Sequence, residues 1–329
     1  MVAGARTPRP EVAAAERAGG SAVDVSLIVV THNSAELIER CLVAVRESVR
    51  THTSEVLVVD NASKDATLER VATAAPDATV VALPRNSGFA AANNVALARA
   101  RGRYVALVNS DAFPDPGSVD LLIGRAEESG RIGLVGGRLR DGRDRPQPSA
   151  GRFPSLLGDL GVALFLHRLP PFARLALSVY ADESHYARPQ RVDWVSGAFC
   201  LARREVGQLP AAAFMYGEDV EWARQANALG FETWLEPRAG AVHLGGGGVA
   251  SADAARFRQR SRADFALRWF APSGGWATVP VRLVMALHAL VRLALFAVAL
   301  PVRPRRAQAG MSEFAALLRC ALRTPHRSG

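Results

Sequence analysis

The stretch Tyr104–Asp115, YVALVNSDAFPD, decides how the rest of the chain is read. Tyr104 to Val108 is continuously apolar, bounded by Gly102 on one side and by Asp111 and Pro114 on the other. A run of that length predicts a strand of a parallel sheet covered on both faces. Such sheets bind ligands beyond the carboxyl ends of their strands, which aims Asn109, Ser110 and Asp111 at a crevice. The same residues also suit a solvated turn, since Asn and Asp begin turns by bonding their own backbone.

On the N-terminal side the pattern alternates. VDVSLIVVT from Val23 predicts a strand, residues 35–49 carry apolar side chains at helical spacing, and EVLVVD, Glu55–Asp60, predicts a second strand. Helices near 65–75 and 88–100, a strand over 79–83, a helix over 117–128 and a strand over 132–135 continue the order. Strands alternating with helices imply parallel pairing with right-handed crossovers, hence a doubly wound α/β sheet with helices on both faces. In that order the first and fourth strands are neighbours, so Thr31-His32-Asn33 and Asn109-Ser110-Asp111 flank one crevice, the predicted nucleotide site. Asp60 lies at its side, either accepting hydrogen bonds from a nucleotide or, with Asn61 and Ser63, capping the next helix.

A nicotinamide-binding domain needs a glycine-rich turn after its first strand, and VVTHNSAEL has none. Without it another cation must hold a diphosphate, and Asp111 is well placed to hold a metal.

The chain has 329 residues, and an apolar content of 49% fits a globular protein with a sizeable core. The formal charge of +9 is unevenly placed: thirteen Arg against Asp264 and Glu313 from Arg256 onward give +11 and leave −2 for residues 1–255. Cys41, Cys200 and Cys320 are isolated, which supports neither a zinc site nor a disulfide framework. Residues 1–22, rich in Ala, Arg, Pro and Gly without an apolar core, are expected to form a disordered leader.

Between 140 and 192 the alternation stops, and an Arg-, Pro- and Gly-rich insertion surrounds one apolar helix near 156–166. VDWVSGAFCLARRE then carries Trp194, Ser196 and Gly197; Trp194 serves either as core or as a stacking surface for a sugar ring. In FMYGEDVEW, Glu218, Asp219 and Glu221 suit the first turn of a helix, where the dipole favours acids. The functional alternative is a carboxylate facing the crevice to accept a proton. After a strand over 232–236, His243 precedes the run Gly245–Gly248, where a close approach to metal or diphosphate is open to it.

Together SLIVVTHNSAELIERCL, VLVVDNASKDATLE, NSGFAAANNVALARARGRYVALVNSDA, VDWVSGAFCLARRE, FMYGEDVEW and VHLGG resemble, in order across residues 24–247, the inverting family 2 glycosyltransferases of GT-A fold. Within that family the chain is similar to the bacterial rhamnosyltransferase-like branch. The resemblance implies a GT-A domain over 23–272, with the acceptor-side insertion at 140–192. It implies that Thr31, Asn33, Asp60 and Asn61 serve the nucleotide, with Asn86, Gly88 and Asn93 near ribose and phosphates. Asp111 matches the last acid of the Asp-x-Asp metal motif, Asn109 replaces the first, and His243 is the added ligand for Mg²⁺ or Mn²⁺. Asp219 matches the catalytic base, with Trp194, Ser196, Gly197 and Glu218 on the acceptor side. The family often has Asp where Glu221 stands and Arg near Gln225, so this chain departs from it along that helix.

The implied reaction moves a sugar, L-rhamnose from dTDP-rhamnose in first place, to a hydroxyl of a saccharide acceptor that is polyprenyl-linked. UDP-linked galactofuranose or N-acetylhexosamine stands behind it. A catalytically silent scaffold is the reading from another class, and the Arg-rich tail alone would speak for nucleic acid, although its apolar interruptions fit lipid better. Residues 273–329 are expected to be basic amphipathic helices on an anionic membrane surface, on the cytoplasmic face of the cell membrane. Arg282, His288 and Arg292 interrupt the apolar stretch 279–302 and argue for a helix lying in the interface. A helical hairpin packed on the catalytic domain is the alternative.

Overall fold

Strand β1, Val25–Thr31, sends Leu27 and Val29 into one core and Ile28 into another. Both faces are covered, so the strand reads as an unbroken apolar run instead of an alternating one. The structure, a computed structural model, describes residues 23–169, 178–180, 182–245 and 252–322. The expected leader and Gly246 to Gly248 of the glycine run lie outside the described residues.

Helix α1 (Ile38–Glu47) buries Ile38, Cys41, Leu42 and Val45 at helical spacing against this sheet. Strand β2 (Ser54–Asp60), helix α2 (Thr67–Ala74), strand β3 (Thr79–Ala82), helix α3 (Phe89–Leu97) and strand β4 (Tyr104–Asn109) complete the alternation. Strand β1 pairs in parallel with β2 on one side and β4 on the other, so the first and fourth strands are neighbours, as expected. Thr31 stands opposite Asp60 and Val30 opposite Asn109, which brings three carboxyl ends level at one edge.

Beyond β4 the order is less regular. After β5 (Ala112–Pro114) and α4 (Ser118–Glu127), strand β6 (Ile132–Arg140) runs past the expected end at Val135 through Gly136 and Gly137. Glycines hide the strand in the sequence but are required by its packing. A Cβ on Gly136 would lie 2.4 Å from Val195 Cβ, and one on Gly137 2.5 Å from Phe199 Cδ1. The insertion contains β7 (Pro146–Gln147), β8 (Ala150–Gly151), α5 (Leu156–Ala163) and β9 (Gln190–Val192), and it is stitched to the sheet by β7 on β6. Next come β10 (Trp194–Val195), pairing with β8, and β11 (Phe199–Arg203).

Strand β11 enters between β4 and β6 and runs antiparallel to both, so the parallel pairing implied by the alternation is broken there. Being antiparallel to both neighbours, β11 starts at the end of the sheet where β4 and β6 finish. After α6 (Glu218–Ala228), strand β12 (Glu232–His243) extends well beyond the expected Glu236, across an irregularity between Glu236 and Gly240. It pairs in parallel with β6 and with β9 in antiparallel, and its end pairs with β5 so that His243 stands opposite Ala112. Among the described residues the sheet has ten strands, its main path running β3-β2-β1-β4-β11-β6-β12-β5.

Three helices follow: α7 (Ala252–Phe270), which the sequence pattern did not predict, α8 (Thr278–Ala299) and α9 (Pro304–Leu322). They share an apolar cluster that includes Ala263, Val281, Met285, Ala289 and Leu317. Helix α9 opens with Pro304 at its first position, where a missing N–H costs nothing. By length and composition alone, residues 275–299 are long and apolar enough to cross a membrane. The arginines that interrupt the run face protein. Arg282 donates to the carbonyls of Cys320 (3.2 Å) and Ala321 (3.1 Å), and Arg292 donates to Val162 O and lies 3.8 Å over the Phe165 ring. Leu283, Leu290 and Val298 are left exposed.

Candidate active site

The carboxyl ends of β1 and β4 open into a cavity of about 780 Å³. Thr31, Asn33, Asn61, Asn86, Gly88, Asn109 and Asp111, all singled out in the sequence, line it. The Thr31 hydroxyl is buried and meets no hydrogen-bond partner among the described residues, which makes it an unsatisfied group at the cavity wall. Ser34 Oγ and Ser110 Oγ lie 2.9 Å apart and tie the loops after β1 and β4 together, a link the sequence does not reveal.

Two residues expected at the nucleotide stand behind this wall. Asp60 is buried and accepts from Ser63 N (3.0 Å) and Ser63 Oγ (2.5 Å), closing the turn its capping alternative described. Asn93 is buried and donates to Phe89 O at 2.9 Å. Asn61 does both jobs: it lines the cavity, donates to Asn86 Oδ1 and accepts from Ser87 N, which fixes the Asn86–Gly88 loop. Gly88 has φ +87°, and a Cβ there would lie 2.3 Å from Phe214 O. No other residue fits that approach.

His243 Nε2 lies 3.3 Å from Asp111 Oδ1. Gln147 settles which ring nitrogen carries the proton. Its Nε2 donates to His243 O at 2.9 Å, so its Oε1 is left to accept from His243 Nδ1–H at 3.0 Å. With Nδ1 turned to Gln147, Nε2 is the ring nitrogen directed at Asp111, and a divalent cation between them would be ligated by both. The pair fits Mg²⁺ or Mn²⁺: one carboxylate and one imidazole leave most of the shell to phosphate oxygens and water. Among the described residues no three His, Cys, Asp or Glu side chains group to hold an ion.

Asp219 lies in the first turn of α6 and lines a second, mainly apolar cavity of about 380 Å³. The turn before it has two left-handed residues, Tyr216 (φ +77°) and Gly217 (φ +94°), and Tyr216 contributes to both cavity walls. Burial raises the Asp219 carboxyl above the usual range, while backbone N–H groups of Val220 and Gly197 pull it down. Gly197 has no side chain to hold Asp219 away: a Cβ there would meet Phe89 Cζ at 3.2 Å and Asp219 Cβ at 3.9 Å. A half-buried carboxyl of raised pKa in the wall of a cavity is equipped to take a proton.

The other acceptor-side residues are placed unevenly. Trp194, read as either core or a stacking surface, is buried; its indole donates to Arg152 O (3.0 Å) and Ser178 O (2.9 Å), while its ring lines the second cavity. Ser196 bonds through its backbone to Ser149 O at 2.8 Å. Glu218 is buried with Oε2 unpartnered and lines neither cavity; burial with Asp219 and Glu221 nearby pushes it up to about 8. Glu221, where the resemblance expects Asp, meets Arg268 of α7 at 3.4 Å. Sequence reasoning missed Gln147, which lies in the insertion, and Arg258, which lines the first cavity from the unpredicted α7.

Residues 26–187 match the model of glycosyl transferase family 2. The chain is a family 2 glycosyltransferase. A Mycobacterium tuberculosis relative, N-acetylglucosaminyl-diphospho-decaprenol L-rhamnosyltransferase, is 28% identical over 66% of this glycosyltransferase and 75% of its own length. The succinoglycan biosynthesis protein ExoO of Rhizobium meliloti is 40% identical over 32% of this chain and 31% of its own. In fold the glycosyltransferase is similar to a Pyrobaculum calidifontis mannosyltransferase solved with GDP-Man and Mn²⁺. The TM-score is 0.55 at 19% identity, over 91% of this chain and 86% of that one. Its mostly parallel sheet flanked by helices is the GT-A arrangement.

Proposed function

We propose that this glycosyltransferase inverts the anomeric centre as it moves L-rhamnose from dTDP-rhamnose to a hydroxyl of a lipid-linked saccharide in cell-envelope polysaccharide synthesis. The observation that carries the reading is Asp111, paired with His243, in the wall of one cavity and Asp219 in the wall of a second, the two cavities sharing Tyr216. The name of the M. tuberculosis relative supports the donor sugar and a lipid-linked acceptor.

The loops after β1 and β4, with Asn61 and the Asn86–Gly88 turn, bind and orient the nucleotide. Asp111 and His243 hold Mg²⁺ or Mn²⁺, which when bound neutralises charge on the diphosphate. Asp219 accepts the proton of the acceptor hydroxyl, which attacks the face opposite the leaving diphosphate. A single displacement needs this one base, unlike the paired carboxylates of glycosidases. The exposed apolar side of α8, followed by Arg303 and Arg305, rests peripherally on the cytoplasmic face of the membrane, where such an acceptor is presented.

Calorimetry with dTDP- and UDP-sugars, with Mg²⁺, with Mn²⁺ and with chelator, tests the reading on wild type and Asp111→Ala. Metal-dependent binding of dTDP-rhamnose that Asp111→Ala abolishes is expected. Binding confined to UDP-sugars would move the donor to galactofuranose or an N-acetylhexosamine, and no binding under any condition would remove the transfer reading.

A further inference from the structure

The second cavity has a wall that proton abstraction alone does not require. Leu156 of α5, Phe265 and Phe270 of α7, Val284 and Met285 of α8 and Phe314 of α9 enclose about 380 Å³, the lower end of the range for small-molecule sites. Helices α5, α7, α8 and α9 converge with α6, which brings Asp219 into the lining. The remaining acid and histidine in the wall, Asp159 and His288, are both pushed toward their neutral forms by burial, Asp159 up to about 6 and His288 down to about 4. Arg262 lines the chamber as its cation.

The helix that supplies Val284 and Met285 to the chamber exposes Leu283 and Leu290 on its other side. One helix thus forms both a wall of the chamber and part of the apolar outer surface, which places the chamber directly beside the face that would meet lipid. We infer that the chamber seats the first hydrocarbon units of the acceptor's lipid anchor, with Arg262 beside its anionic linker and Asp219 at the sugar end. The inference rests on the sugar-transfer reading above and adds to it how the acceptor is selected: by its hydrocarbon as well as its sugar.

A chain-length ladder tests it. Methyl, hexyl, octyl and decyl β-glucosides, kept below micelle-forming concentrations, are titrated calorimetrically into the full-length protein. Affinity is expected to rise about threefold to fourfold per methylene and then level off once the chamber is full. Val284→Trp, or Ala266→Phe if the first variant does not fold, should make the ladder level off at a shorter chain. Val298→Glu, on the exposed face, should leave it unchanged. Affinity independent of chain length, or a ladder identical in wild type and the filled variants, overturns the inference. A ladder shortened by the filled variants in a protein that binds no nucleotide sugar would keep the hydrocarbon seat and remove the transfer reading.

Discussion

His243 Nε2 lies 3.3 Å from Asp111 Oδ1 because the last residues of β12 pair with β5, the strand that begins just after Asp111. Gln147, from β7, fixes the ring from its other nitrogen. Imidazole suits Mn²⁺ better than Mg²⁺. His243→Ala is therefore expected to weaken Mn²⁺-dependent nucleotide-sugar binding more than Mg²⁺-dependent binding. Gln147→Ala should lower the Mn²⁺-dependent affinity about tenfold or more through loss of ring orientation. Calorimetry in the two metals checks both, and equal losses would take His243 out of the metal shell.

Asp219→Asn should lower turnover roughly 10²-fold or more while donor affinity stays near wild type. Burial raises the wild-type carboxyl, so the acid limb of the pH–rate profile should lie above the ordinary carboxylate range. Single-turnover kinetics over pH measures both effects. Near-normal turnover in the variant would assign the base elsewhere.

Glu218 gives a pH dependence of stability. Its folded value of about 8 lies above the reference carboxyl value of 4.5, so the native state holds a proton that the unfolded chain has lost. That contribution is fully present below 4.5 and is lost as pH rises through 8. Glu218→Gln removes the dependence. The melting temperature of the variant relative to wild type should rise by several degrees between pH 5 and pH 8. Parallel thermal scans with a constant gap would mean that Glu218 is ionised throughout.

Membrane docking through α8 predicts a specific loss. Leu283, Leu290 and Val298 are exposed, and each large apolar side chain buried in lipid contributes on the order of 1.5–3 kcal/mol. The triple change to Ser should cut flotation with anionic liposomes at least tenfold while leaving nucleotide-sugar binding intact. Flotation unchanged by the triple variant would place the docking surface elsewhere.

Apolar runs and helical spacing were enough to read β1 to β4 and their helices, since a strand buried on both faces must be apolar throughout and α1 must bury one stripe. They also placed the ends of β1 and β4 side by side, which put Thr31, Asn33, Asn109 and Asp111 at one opening. Beyond β4 the signal faded for physical reasons. Gly136 and Gly137 are poor strand formers kept for close packing, β11 runs against the expected direction, and α7 shows no clean apolar stripe.

Residue type and local order alone thus determined the doubly wound half of the sheet and the crevice it opens. Tertiary structure decided what meets there. Asp60, legible as either ligand or cap, accepts from both the N–H and the hydroxyl of Ser63. Trp194 became part of a wall because its N–H had to find carbonyls once buried. Arg282 and Arg292 turned from interruptions of an apolar helix into its ties to α9 and α5, leaving the opposite side of α8 apolar. Each outcome depends on partners distant in sequence, and a side chain's hydrogen-bond and charge partners are fixed only when the chain has folded.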